Sequence, residues 1–120
     1  MDEMKMLMER FADYTAFSKY FDLLWSKDKL LLLLFEKGEI ESYRWVESLE
    51  DLLEIYLFEV SSDVRDLNLC GEHVTSDLYP AEAEETIRRM MPYISGLPFE
   101  QECLDIMREY IRKCLEGTAP

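Results

Sequence analysis

Six consecutive apolar residues, Leu30 to Phe35, run straight into Glu36, Lys37 and Gly38. An unbroken apolar run has no period, so by itself it fits a buried helix or a buried strand. The residues that follow favour the strand. Lys37-Gly38 is a two-residue turn in which Gly38 supplies the positive φ. The next segment, Ile40 to Val46, contains Tyr43, Trp45 and Val46, a composition suited to a pleated, half-buried surface. A helix carried through this region would hold Gly38 in its interior, at about 1 kcal/mol relative to alanine. A β-hairpin is therefore predicted over residues 29–46. A lone hairpin is marginal in water, so helices must pack on its apolar face.

Apolar periodicity predicts those helices. Met4, Leu7, Phe11, Tyr14, Phe17, Phe21, Leu24 and Trp25 recur at spacings of three and four, which predicts one aromatic-rich helix from Asp2 to Lys27. Its rings are expected to form core. Ser48 is an N-cap candidate for a second helix, with Leu49, Leu52, Leu53, Tyr56, Leu57 and Val60 on one face and an end at Ser61-Ser62-Asp63. Residues 63–79 carry no clear pattern. Pro80 opens a third helix, which Pro92 is expected to end or kink near Met91. A last helix runs from Pro98 to a stop at Gly117, with a frayed tail over residues 117–120. The expected fold is α+β: a single domain over 1–120, about four helices and one hairpin. The alternative is an all-α bundle. Glycine and proline, four of each, are too few for an all-β sandwich.

The apolar run is too short to cross a bilayer as a helix. The first residues lack the basic start and small-residue cleavage site of a secretory signal. Three cysteines make no disulfide framework. A cytoplasmic location and no membrane association are expected.

Motifs for chemistry are sparse. There is no glycine-rich phosphate loop, dinucleotide fingerprint, C-x-x-C pair or H-E-x-x-H. Cys70-Gly71-Glu72-His73 is the one step with metal-ligand or thiol character. Cys103 and Cys114 would have to complete a zinc site, and eleven residues of helix hold them about 16 Å apart. Acidic neighbours Asp66, Glu72 and Asp77 would raise the Cys70 thiol pKa, the wrong direction for a nucleophile. No catalytic residue, cofactor or metal is assigned, and a small Cys/His enzyme or metal protein is the least favoured reading.

Charge is the strongest functional signal. The chain carries 26 acidic and 13 basic side chains, a net −13. Residues 30–80 hold twelve acidic against three basic, a net of −9. Such a chain repels nucleic acid and attracts basic surfaces. The candidate partner-binding residues are Glu36, Glu39 and Glu41 around the hairpin, Glu47, Glu50, Asp51 and Glu54 on and before the second helix, and Asp63 and Asp66 beyond it. If hairpin and helix are adjacent, these form one acidic face. The expected function is a non-enzymatic protein-interaction domain whose acidic face docks on a basic, nucleic-acid-binding protein, with carboxylates standing where phosphates would lie as in a DNA mimic. In size, charge and layout, though in no motif, the chain resembles small acidic anti-defence inhibitors of phages and plasmids and bacterial immunity proteins. The alternative is an adaptor or assembly subunit that associates through apolar helix faces. The bland reading of the charge is solubility.

Overall fold

The computed structural model describes residues 2–18, 20–69 and 80–115. The element order is α1 (Asp2–Arg10), α2 (Ala12–Phe17), β1 (Phe21–Ser26), β2 (Lys29–Glu36), β3 (Glu39–Val46), α3 (Leu49–Leu69), α4 (Pro80–Ile94) and α5 (Glu100–Leu115). The fold is α+β, as the sequence predicts. The chain divides into two compact units, Met1–Leu52 and Leu53–Pro120.

In the first unit the three strands form one antiparallel sheet in the order β1-β2-β3. The hairpin predicted over 29–46 is present as β2 and β3. Lys37 and Gly38 both adopt positive φ, 55° and 84°, the two-residue turn whose twist suits a hairpin. The single helix predicted from Asp2 to Lys27 is not formed. It is replaced by two short helices and a strand. Phe21, Leu23 and Trp25 alternate on β1 opposite Leu34, Leu32 and Leu30. The apolar β2 run offers a ready edge, and pairing with it satisfies the backbone of residues 21–26 while burying Phe21 and Leu23. The connecting turn is Lys27-Asp28, with Lys27 at φ 59°, a left-handed conformation that glycine usually fills.

Because side chains alternate along a strand, the register defines two faces. One carries Phe21, Leu23, Trp25, Leu30, Leu32, Leu34 and Val46, with Glu36 and Glu39 at its hairpin end. Trp25 and Leu34 are half-buried, and the other apolar residues are buried. α2 packs on β1, and the Lys5 ammonium of α1 lies 5.4 Å from the centre of the Trp25 ring. The other face carries Leu24, Leu31, Leu33, Phe35, Ile40, Tyr43 and Trp45.

α3 opens as expected: the Asp51 amide donates to Ser48 Oγ at 3.1 Å, and Glu50 and Asp51 occupy the first turn, where the helix dipole favours acids. It does not stop at residues 61–63 but continues to Leu69. Ser61 is buried and donates its hydroxyl to the Phe58 carbonyl at 3.1 Å. Its polar group is thereby satisfied within the helix, and Val60 and Val64 keep the apolar face running.

The second unit contains α4 and α5, which pack on each other. Ala83 and Ile111 are buried together, with Ile87, Tyr110 and Cys114 against them. Met90, Ile94, Cys103 and Met107 are fully buried, so Cys103 has the core role its helical spacing suggests. Pro92 does not end α4 at Met91; the helix continues to Ile94. Proline removes one backbone donor and crowds one carbonyl a turn back, and so near the end of the helix only its last residues are affected. The Gly96 turn, at φ 87°, is tied to α5 by its amide, which donates to Glu100 Oε1 at 3.0 Å.

Candidate functional site

The sheet's second face is open. Tyr43 is 66% exposed, Ile40 60%, Leu24 47% and Trp45 42%. Leu31, Leu33 and Phe35 lie between them, half-buried. The strand order explains the geometry: β2 is central, so its leucines are flanked on both sides, while β1 and β3 lift Leu24, Tyr43 and Trp45 at the margins. Every β3 residue before Val46 is exposed. On β3 the alternation is inverted relative to an ordinary amphipathic strand. Tyr43 and Trp45 face outward, whereas Ser42 and Arg44 share the face of buried Val46. Arg44 is held there by Asp51, with Nη1 donating to Oδ2 at 2.7 Å.

The hairpin end of this sheet is acidic. Asp22 stands on the open face opposite Leu33. Its Oδ1 accepts from the Leu23 amide at 2.8 Å. Glu36 and Glu39 close the β2–β3 turn as a cross-strand pair. The register shifts between Leu34 and Phe35, leaving Glu41 as the extra residue of a bulge. A hydrogen bond with Glu36, together with the Glu36 charge, holds the Glu41 pKa above the ordinary carboxylate value.

The structure thus brings Glu36, Glu39 and Glu41 together. Glu47, Glu50 and Asp51 sit beyond the other end of β3. Five residues of strand, 42–46, lie between Glu41 and Glu47, a span of about 20 Å, and Asp51 is partnered by Arg44. Glu54 and Asp63 lie further along α3, in the second unit. Burial first, and then the charge of Asp63, raise the pKa of Glu59 on the same helix. Asp66 is on α3, and its side chain lies outside the described residues, as do Cys70, Gly71, Glu72 and His73.

At the end of the sheet opposite the hairpin turn, a cleft of about 370 Å³ is lined by Met4, Trp25, Leu30, Val46, Trp45 and Lys29, with Asp28 and Glu47 at its edge. The Lys29 ammonium lies 5.6 Å from the centre of the Trp45 ring, a cation–π distance. A shallower hollow of about 330 Å³ on the α4–α5 pair is lined by Ile87, Ile111, Leu115, Arg108 and Arg112. Among the described residues no three His, Cys, Asp or Glu side chains gather as a metal site, and no helix is long and apolar enough to cross a membrane.

The sequence reading gives Tyr43 and Trp45 as residues of a half-buried strand and does not say which face stays open. The signal was present: Tyr43 and Trp45 are two apart, and Ser42 and Arg44 alternate with them. No family model matches the chain, and comparison with curated proteins and with solved structures yields no match.

Proposed function

We propose that this chain is a non-enzymatic protein-interaction domain that binds a basic protein through the open face of its sheet, with the carboxylates at the hairpin end guiding the approach. One observation carries the reading. A contiguous apolar face that includes Tyr43 and Trp45 is left in solvent, and exposed apolar patches bounded by polar groups mark binding surfaces. Tyrosine and tryptophan are also the side chains that dominate interface energetics. The net −13 selects a basic partner and speeds encounter. A nucleic-acid-binding protein is the partner class with the largest basic surface, and blocking it is the inhibitory form of this function. The carboxylates then serve orientation and rate, and the apolar face holds the complex.

The test is a pull-down with the intact protein from a lysate of its source organism. Wild type is compared with the double variant Tyr43→Lys, Trp45→Lys, and the eluates are identified by mass spectrometry. A basic protein retained by wild type and lost by the variant is the expected result. Equal recovery by both would remove the sheet face from the function.

A further inference from the structure

The sheet has two outer strands, β1 and β3, and their backbone edges differ. One bond sets the phase of both: the Phe35 amide donates to the Tyr20 carbonyl at 2.9 Å. Along an antiparallel strand the backbone groups of successive residues turn to alternate sides. Leu31, Leu33 and Phe35 therefore turn theirs toward β1, and Leu30, Leu32 and Leu34 toward β3. The register then leaves Phe21, Leu23 and Trp25 facing outward on β1, and Tyr43 and Trp45 facing outward on β3.

On β1 two of the three outward amides are answered locally. The Phe21 amide donates to Ser18 Oγ at 3.2 Å and the Leu23 amide to Asp22 Oδ1 at 2.8 Å, while α2 packs on the strand. An edge whose amides are already bonded, with a helix against the strand, is a poor template for a further strand. The β3 edge has no such protection. Among the described residues the Tyr43 and Trp45 amides have no acceptor and their carbonyls no donor, and every residue from Glu39 to Trp45 is exposed. The bulge at Glu41 bounds this edge on the hairpin side and leaves a regular ladder over 42–46, about 17 Å of strand. Arg44 does not guard it, because its guanidinium is drawn to Asp51.

Resting on the interaction reading above, we infer that the basic partner docks by adding an extended segment as a fourth strand along residues 42–46 of β3. Unpaired N–H and C=O groups on an outer strand are the template for such an addition. The two faces of the sheet specify the segment. Side chains beside Tyr43 and Trp45 continue the open apolar face, so alternate residues of the segment are apolar. The intervening residues face the side that holds Glu36 and Glu39 at the hairpin end, with Glu41 bonded to Glu36. Those nearest the hairpin are therefore lysine or arginine. A second copy of this chain does not meet the specification. The antiparallel register that pairs the whole of 42–46 with itself is centred on Arg44, and it sets Arg44 opposite Arg44 and Glu41 opposite Glu47. Like charges directly opposite are destabilising, and each copy brings a net −13.

The experiment uses the full ¹⁵N-labelled protein. The probe is a synthetic nine-residue peptide in which valine alternates with polar residues, lysine in one half and threonine in the other. The comparison peptides are one with glutamate for lysine and two that are N-methylated, either at the valines or at the intervening residues, so that each blocks one edge of the strand. The expected result is amide shifts at Tyr43 and Trp45, at least tenfold slower hydrogen exchange of these two amides in the complex, and at least tenfold weaker binding of the glutamate peptide. One methylated peptide is expected to bind like the probe, with its methyls turned away from β3, and the other at least tenfold more weakly. No binding of the probe, or equal binding of both methylated peptides, would overturn the added strand. Equal binding of the glutamate peptide would overturn the basic segment. A pull-down sensitive to Tyr43→Lys, Trp45→Lys, combined with equal binding of both methylated peptides, removes the added strand and leaves the interaction reading standing. A pull-down insensitive to that substitution removes both.

Discussion

The α4–α5 pair and the sheet dispose of their apolar side chains differently. In the α4–α5 pair each helix has one apolar stripe, and the stripes are spent on packing: Met90, Ile94, Cys103 and Met107 have no exposed surface. The sheet unit cannot do this. A strand that is apolar on both faces needs a cover on both, as in sheets sandwiched between helix layers. In this unit one face is buried and the other keeps Tyr43 and Trp45 in water. The α4–α5 stripes leave Leu115 in solvent at their margin, whereas a Leu-rich strand makes two surfaces, and the second carries Leu24, Ile40, Tyr43 and Trp45 exposed together.

The sharpest way to break this contrast is to truncate neighbours on β2. Leu32 is 2% exposed, and Leu32→Ala is expected to destabilise the protein by about 3 kcal/mol, within the range for buried leucines. Leu33→Ala, on the open face, is expected to cost less than half as much. Equal losses in urea denaturation would show that both faces are covered in solution. Next comes Met107→Ala, at about 2–3 kcal/mol, against Trp45→Lys at under about 1 kcal/mol, since a surface change away from packing does little. A large loss for Trp45→Lys would make that ring structural and not a binding group. A backbone test of the sheet unit follows. A Cβ at Gly38 meets nothing within 4 Å, yet its φ is +84°. Gly38→Ala is therefore expected to cost about 1 kcal/mol from conformation alone. The smallest effect belongs to Glu59 on α3. Burial and Asp63 raise its pKa, so its ionised form opposes folding at neutral pH. Glu59→Gln should then stabilise by about 0.5 kcal/mol or less, because solvent screens a half-exposed group. The sign follows from linkage. The gain is full above the folded pKa, fades as pH falls through it, and vanishes below the ordinary value of 4.5. Thermal melts at pH 7 and pH 4 check this; a gain that grows on acidification would reverse the sign.

How much of this was legible in the sequence depended on turn chemistry more than on apolar pattern. The Lys37-Gly38 turn marks the hairpin that becomes β2 and β3. β1 was missed because Phe21, Leu24 and Trp25 continue the three-and-four spacing set by Phe11, Tyr14 and Phe17, and because its turn, Lys27-Asp28, has no glycine to mark it. Only pairing with a partner strand distinguishes the two periods over so short a segment, and pairing is a tertiary fact. The same limit applied to the candidate site. Charge alone names Glu36, Glu39 and Glu41, and the strand register places them together at the hairpin. The aromatic face beside them was not found, since which side of a strand is covered depends on where the helices land. Ser61 and Pro92 do not end their helices for a local reason: the buried Ser61 hydroxyl bonds to the Phe58 carbonyl, and Pro92 stands two residues from the end of α4.

The two tryptophans have a practical consequence. Trp25 and Trp45 are the only indoles in the chain, and they stand on opposite faces of one sheet. Each has a lysine ammonium over its ring, Lys5 for Trp25 and Lys29 for Trp45. The protein thus carries a two-channel optical reporter. Emission from single-tryptophan variants reads the two faces separately: acrylamide quenches Trp45 readily and Trp25 less, and loss of quenching at Trp45 alone signals that the open face has been occupied.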